Sequence, residues 1–114
     1  MRSVDAKTLR GRWVRAVSAD AVVPTDATVI DVRRLMNPFS EIRNGKLEDS
    51  LDAIEAWMRR HPRTESMLEK FVRRGLNAQG DVYVRCRGGK HRSQVVARLI
   101  QQREGLQQAA GRDA

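Results

Sequence analysis

Three residues near the C-terminal end have the types and spacing of a phosphate-binding catalytic loop. Cys86-x5-Arg92-Ser93 has the spacing found in cysteine-dependent phosphatases. In these enzymes a thiolate attacks phosphorus, loop amides and a bidentate arginine hold the phosphate oxygens, and a hydroxyl assists departure of the thiolate. The reaction also needs an acid to protonate the leaving group, and Asp31 is the candidate. The alternative is that Cys86 is a small buried residue at the end of a strand, so both interpretations stay open.

The residues around this cysteine form a glycine loop with an excess of positive charge. An apolar run over 82–84 predicts a short buried strand, Gly88-Gly89 interrupts it, and a helical pattern begins at Ser93. The backbone N–H groups of such a loop and the N-terminus of the next helix both favour a bound anion. The loop therefore predicts a site for phosphate or for a group that carries one. Four cations and no carboxylate lie between positions 85 and 92: Arg85, Arg87, Lys90 and Arg92.

Two residues of the loop have more than one role open to them. Lys90 is either an ammonium that pairs with phosphate or a solvated surface charge. His91 could act on a ligand as an acid, a base or a hydrogen-bond donor; the alternative is that it only forms local hydrogen bonds. The Gly-Gly-Lys of the loop lacks the spacing of a Walker A motif, so an NTPase is not predicted. The second histidine, His61, belongs to a helix end far along the chain. No metal site and no cofactor are therefore predicted.

A second strand is the main element that must position this loop. Residues 28–33 are rich in β-branched side chains, which favours a strand, and about 47 residues with two helical patterns separate it from the strand at 82–84. That separation predicts parallel pairing through a right-handed helical crossover. The other expected elements are a strand over 13–17, a loop over 39–46, a helix from Leu47, a helix from the N-cap Thr64 to Gly75, and a last helix over 93–103.

The predicted fold class is α/β: a small three-layer-like domain with a short, mostly parallel sheet, a helical crossover and a strand–glycine loop–helix anion site. Parallel strands end at the same edge of a sheet, and ligands of open α/β sheets bind beyond that edge. The topology is therefore expected to bring Asp31, Arg33 and Asn37 beside the loop at 86–93.

Length and composition bound what the chain can do. With 114 residues and one cysteine, we expect one domain over 12–104, a flexible N-terminus over 1–11, a flexible tail over 105–114, and a reducing, cytoplasmic environment. The net charge of +8 makes a nucleic-acid partner plausible, whereas 4% aromatic residues are too few for a base-stacking platform. No secretory leader and no membrane-spanning run are recognised, so no membrane association is expected.

Two motifs in the same order resemble the C-terminal domain of the RapZ family of RNase adapter proteins. Cys86-Arg-Gly-Gly-Lys-His-Arg-Ser93 looks like the Cys-Thr-Gly-Gly-Lys-His-Arg-Ser loop of that family. Asp31-Val-Arg-Arg-Leu-Met-Asn-Pro38 is similar to its Asp-Val-Arg-x-Leu-x-Asn-Pro segment. Arg87 stands where the family has threonine. The family's N-terminal P-loop kinase-like domain has no counterpart here, so the resemblance implies a free-standing, bacterial or phage-encoded module.

The resemblance implies a non-catalytic binding module that holds a phosphorylated amino sugar or a nucleotide and binds RNA. It also implies a ribonuclease or another protein as a partner, and it makes a homodimer reasonable. The cysteine-dependent phosphatase remains the alternative. The implied ligand pocket comprises Asp31, Arg33, Asn37, Cys86, Arg87, Gly88, Gly89, Lys90, His91, Arg92 and Ser93. The residues expected to contact RNA are Arg34, Arg85, Arg87, Lys90 and Arg98.

Overall fold

The computed structural model describes residues 5–106, which form one four-stranded sheet and four helices. The small α/β domain predicted from the sequence is confirmed. In chain order the elements are β1 (Ala6–Lys7), β2 (Trp13–Val17), β3 (Thr28–Asp31), α1 (Phe39–Arg43), α2 (Leu51–Arg59), α3 (Pro62–Asn77), β4 (Val82–Arg85) and α4 (Arg92–Glu104).

The sheet has the order β1-β2-β4-β3, so the strand that leads into the glycine loop lies between two parallel neighbours. The predicted parallel pairing of β3 with β4 is confirmed, and β2 pairs in parallel with the other side of β4. Arg85 is in register with both Val17 and Asp31. All three parallel strands therefore end at one edge, and the segments that leave them begin side by side.

The helices bury one face of the sheet. Val82 and Val84 of β4 are fully buried, while the alternating Tyr83 and Arg85 are only partly buried, because successive side chains of a strand point to opposite faces. The buried face contributes to a single core with side chains of α2, α3 and α4, and α4 packs on both β2 and β4. The core thus fixes where α4 begins relative to the carboxyl edge of the sheet.

The connection from β2 to β3 crosses the opposite face. The chain passes from β2 over β4 to β3, and the next crossover returns from β3 to β4 in the opposite direction across the sheet. If both crossovers are right-handed, as such connections almost always are, they lie on opposite faces of the sheet. The Arg85 side chain agrees with this placement, because its Nη2 donates to the carbonyl oxygen of Ala21 at 3.1 Å. Part of this connection, at Ala21, therefore lies on the face of the sheet opposite the helices.

Two boundaries between β3 and α2 differ from the sequence expectation. The segment expected as a loop over 39–46 contains α1, which starts after Pro38 with the Phe39 N–H donating to Asn37 Oδ1. The helix expected from Leu47 starts four residues later, because the Ser50 hydroxyl accepts from the Ala53 N–H and caps α2. The apolar spacing therefore begins at Leu47, four residues before the first residue of α2.

The α3 helix is longer at both ends than expected. It starts at Pro62 rather than after Thr64, with proline at the first helical position, where no N–H is needed. Gly75 does not end it; the helix continues to Asn77. A Cβ at Gly75 would overlap the side chain of the buried Ile100, so glycine permits the close packing between α3 and α4. The last helix matches the expected range within one residue at each end.

The first residues that the structure describes include a strand that was not predicted. The β1 strand pairs antiparallel with β2, inside the segment expected to be a flexible N-terminus. Most of the expected tail over 105–114 lies outside the described residues. Between residues 5 and 106, no helix combines the length and apolarity that crossing a bilayer requires.

Candidate ligand-binding site

The glycine loop after β4 is held against the end of β2 by backbone contacts. The Cys86 N–H donates to the Val17 carbonyl at 3.2 Å, and the Ala19 N–H donates to the Arg87 carbonyl at 3.1 Å. Gly89 has a φ of +71°, and a Cβ on it would lie 2.8 Å from the backbone nitrogen of Ser18. Only glycine combines this conformation with so close an approach.

The loop folds its own donors around the cysteine sulfur. Cys86 is 2% exposed, and its Sγ lies 3.1 Å from Ser93 Oγ. Burial raises the pKa of Cys86, but hydrogen bonds from the Ser93 hydroxyl and from backbone N–H groups of Ser93, Gly89 and His91 outweigh it and lower the pKa below the usual value. Donors from three positions thus converge on one point at the N-terminus of α4, where the helix dipole also favours negative charge.

A pocket of about 440 Å³ opens beside the loop, and we call it the loop pocket. Pockets of this size take small organic ligands. Phe39, 54% exposed, gives it an apolar wall, and Arg87 and Lys90 are exposed cations at its rim. No carboxylate is among the residues that line it in the described part of the chain. Its lining residues are Asn37, Phe39, Cys86, Arg87, Gly88, Lys90, His91 and Arg92.

Arg92 connects this pocket to the segment that follows β3. Its side chain is 8% exposed, and Nη1 donates to the carbonyl oxygen of Arg33 at 2.6 Å and to that of Leu35 at 3.3 Å. One edge of the guanidinium therefore holds backbone, and only the remaining N–H groups can face a ligand. The sequence predicted an arginine that binds phosphate in the manner of the phosphatases; the structure adds this anchoring role.

Two further polar contacts fix the start of α4. The His91 ring Nε2 lies 3.1 Å from Asp49 Oδ1 and so ties the loop to the residues before α2. Inside the helix, Gln94 donates from Nε2 to the Gly89 carbonyl at 3.0 Å. Neither Asp49 nor Gln94 was predicted to contribute to the site. A polar residue one turn into the helix, after a glycine loop, is the only sequence signal that pointed to Gln94.

The residues predicted for the pocket at the end of β3 and in the segment after it are divided by the structure. Asn37 lines the loop pocket, whereas Asp31 lines a second pocket and Arg33 lines neither. Arg33 forms an ion pair with Asp31, with Nη2 2.6 Å from Oδ2. The hydrogen bond from Arg33 lowers the pKa of Asp31. The backbones are adjacent as expected, but the Asp31 carboxylate lies in a different pocket from the Cys86 thiol.

The second pocket lies between α3 and the segment after β3, with a volume of about 560 Å³. Four exposed cations line it, and we call it the cationic groove. Its lining also includes Asp31, Ser66, Met67 and Phe71. The four cations are Arg34, Arg63, Lys70 and Arg74.

The residues expected to contact RNA lie in several environments. Arg87 and Lys90 are exposed at the loop pocket, and Arg34 is exposed in the cationic groove. Arg85 is directed at the Ala21 carbonyl, and its buried Nε has no hydrogen-bond partner in the described structure. Arg98 forms ion pairs with Asp52 at 3.0 Å and Glu55 at 3.2 Å, so its charge is largely compensated within the fold.

The residues predicted to contact ligand or RNA did not include Phe39 or three of the four groove cations. Phe39 follows the Asn37-Pro38 pair directly, so its place beside the motif was the available signal. Arg63, Lys70 and Arg74 recur at positions i, i+7 and i+11, which lie on one face of a helix, and that spacing could have identified them. Over residues 5–106, no cluster of three or more His, Cys, Asp or Glu side chains is arranged to hold a metal ion.

The chain matches a protein-family model. The model described as the RapZ C-terminal domain matches residues 17–111. The matched range includes β3, the glycine loop and every residue that lines the two pockets.

Proposed function

Because this chain belongs to the RapZ C-terminal domain family, we propose that it is a non-catalytic, adapter-type binding module that takes a phosphate-bearing small molecule in the loop pocket and binds RNA. A phosphorylated amino sugar is the ligand class that the family resemblance suggests. The observation that supports the proposal is that backbone N–H groups of Gly89, His91 and Ser93 converge at the N-terminus of α4, beside a pocket with two cations at its rim.

Each part of the loop pocket has a use in holding such a ligand. The loop amides and the N-terminus of α4 bind the phosphate oxygens. Lys90 supplies a mobile ammonium, and the free edge of Arg92 supplies further donors. Phe39 provides an apolar surface for the carbon face of a sugar ring. Among the described residues, no carboxylate lines the pocket, which favours an anionic ligand.

The test is calorimetric titration with glucosamine 6-phosphate and, in parallel, with glucosamine. We expect the phosphorylated sugar to bind and the plain sugar to bind far more weakly. Lys90→Ala should weaken binding by about 10- to 150-fold, because a hydrogen-bonded charge pair contributes about 1.5–3 kcal/mol. Lys46→Ala is the matched control, since Lys46 is an exposed lysine outside both pockets. Equal binding of the two sugars, or no binding of either, would contradict the pocket assignment.

The RNA part of the proposal has its own measurement. A structured RNA hairpin is titrated at about 50 and 200 mM salt, where neutralisation of several phosphates costs orders of magnitude in affinity. The net charge of +8 and the family's adapter role support such binding. Absent or salt-independent binding would remove RNA from the proposal and leave the small-ligand part standing.

The alternative, a cysteine-dependent phosphatase, is favoured by one observation: the lowered pKa of Cys86, which increases the fraction of thiolate. Two observations weigh against it. Asp31 is ion-paired with Arg33 and lines another pocket, so it is poorly placed as the general acid. Arg92 already donates to two carbonyls. Turnover of a small aryl phosphate that disappears in Cys86→Ser would establish the alternative, and no turnover by the wild-type protein would dismiss it.

A further inference from the structure

Charge compensation differs between the two sides of α3. On one side Glu65 and Glu69 face Arg59, and Glu69 also pairs with Arg103. These acidic residues are therefore engaged by arginines from α2 and α4. Arg63, Lys70 and Arg74 lie on the other side of the helix, where they form no ion pair with the acidic residues of α3.

The groove cations have no such compensation. Arg34, Arg63, Lys70 and Arg74 form no ion pair and no side-chain hydrogen bond with other described residues. Asp31 is the one carboxylate in the groove lining, and Arg33 already neutralises it. The groove is therefore a concave surface with uncompensated positive charge.

The three α3 cations that line the groove form a straight row. A helix turns 100° and rises 1.5 Å per residue, so positions 63, 70 and 74 lie within about 20° of one direction and span about 16 Å along the axis. Arg34 comes from the segment after β3 and faces this row across the groove. A row of charges on one side with another cation opposite matches an extended polyanion better than a single small anion.

We propose that the cationic groove is the surface on which the RNA phosphate backbone docks, separate from the loop pocket. The inference rests on the RNA part of the proposed function and gives it a location. Guanidinium and ammonium groups are the donors that proteins use for nucleic-acid phosphates. Protein–protein interfaces are enriched in exposed aromatic residues, whereas Phe71, the aromatic residue among those that line the groove, is buried in the core.

The proposed surface differs from the set of RNA contacts that the sequence suggested. Arg34 belongs to both sets, Arg98 is compensated by carboxylates, and Arg87 and Lys90 belong to the loop pocket. Small ligand and RNA would then occupy neighbouring sites on either side of the segment after β3. Arg92 holds the backbone of that segment at positions 33 and 35.

The test compares two triple variants with the same loss of charge. The groove variant is Arg63→Ala/Lys70→Ala/Arg74→Ala. The control is Lys46→Ala/Arg60→Ala/Arg73→Ala, which removes three exposed cations that line none of the pockets described. Binding of a fluorescently labelled RNA hairpin is measured for both and for the wild type from about 50 to 200 mM salt. Thermal unfolding confirms that each variant is folded.

We expect the groove variant to lose at least tenfold in RNA affinity at the lower salt concentration, and the control to lose much less. The slope of log affinity against log salt should become shallower by about 2–3 in the groove variant, since each phosphate contact contributes about 0.7–0.9. Its affinity for glucosamine 6-phosphate should be unchanged. If folding fails, the Lys70→Gln/Arg74→Gln double variant gives the same comparison with two contacts.

Three outcomes would overturn the inference, and they are distinguishable. Equal losses in the two triple variants would show that RNA responds to net charge alone, and unchanged binding in the groove variant would place RNA elsewhere; both leave the proposed function intact. Failure of the wild-type protein to bind RNA, together with groove-dependent binding of polyglutamate, would assign the groove to an acidic protein partner and would remove RNA from the proposed function.

Discussion

The loop pocket and the cationic groove differ in which atoms form them. The loop pocket depends on backbone: the glycine loop lies against the end of β2, its amides converge on Cys86, and Arg92 holds two carbonyls. The groove depends on long side chains of one helix face and on Arg34. A backbone site recognises one ligand geometry, whereas a row of flexible cations recognises repeated charge. The two sites should therefore respond to different kinds of mutation.

The largest effect is expected from adding one methyl group to the loop. Gly89→Ala forces a side chain onto a residue with φ of +71° and places its Cβ 2.8 Å from the Ser18 nitrogen and 2.9 Å from the Val17 carbonyl carbon. Strain and overpacking together should lower the free energy of unfolding by about 2–5 kcal/mol and abolish ligand binding. Urea denaturation and calorimetry measure the two effects.

Gly88→Ala is the matched control for this change. A Cβ at Gly88 meets no atom within 4 Å, and the residue does not have a positive φ. Its unfolding free energy should stay within about 0.5 kcal/mol of the wild-type value. Similar losses at both glycines would mean that the loop pocket does not depend on the close approach to β2.

A smaller effect is expected from Arg92→Lys, which keeps the charge and loses the planar fork. Lysine cannot reproduce the contacts with the carbonyls of Arg33 and Leu35, so the unfolding free energy should fall by about 1–3 kcal/mol, with weaker binding of glucosamine 6-phosphate. The control is Arg87→Lys, since Arg87 is exposed at the same pocket and its side chain makes no hydrogen bond to other described residues. Wild-type stability in Arg92→Lys would show that the anchoring contacts contribute little.

The acidic side of α3 gives a prediction about pH. Hydrogen bonds from Arg103 lower the pKa of Glu69 from 4.5 to about 2. Because the pKa is lower in the folded state, the stabilisation is present above about pH 4.5 and is lost as the pH falls towards 2. The Glu69 and Arg103 side chains are 32% and 40% exposed, so solvent screening limits the effect to about 1 kcal/mol.

Chemical denaturation of the wild type and Glu69→Gln at about pH 6 and pH 2.5 measures this contribution. The two proteins should differ at the higher pH and converge at the lower one. A constant difference would mean that Glu69 is not engaged by arginine. In that case its carboxylate would be free, and the separation between a compensated side of α3 and an uncompensated groove would fail.

The sequence predicted the parts of the fold that depend on local composition and chain length. The β-branched run at 28–31 and the long helical connection to Val82 were enough for the parallel pairing and for the shared carboxyl edge. Helix boundaries were less predictable, because apolar periodicity indicated Leu47 whereas the Ser50 cap determines the start of α2. Gly75 has the residue type of a helix stop but permits close contact with Ile100, which only the tertiary structure shows.

The candidate site was predicted in part, and the missing part has a physical reason. Cys86 and the glycines form a contiguous motif, so their proximity follows from the sequence itself. The separation of Asp31 from the loop pocket does not follow from the sequence. It depends on the ion pair with Arg33 and on the direction in which each side chain points from the backbone. The groove combines Arg34 with residues of α3 that lie about thirty to forty positions away, and no local pattern joins them.

The smallest effect is expected from Lys70→Arg, which replaces one flexible cation by another. If the groove recognises charge, the substitution should change RNA affinity by less than about threefold, because electrostatic contacts with phosphates tolerate either cation. Lys70→Glu, measured beside it, should weaken RNA binding by more than tenfold, since it places a carboxylate between Arg63 and Arg74 in the same row. A large loss in Lys70→Arg would show that the groove depends on the shape of the lysine side chain, as the loop pocket depends on its glycines. The two sites would then recognise their ligands by the same kind of complementarity.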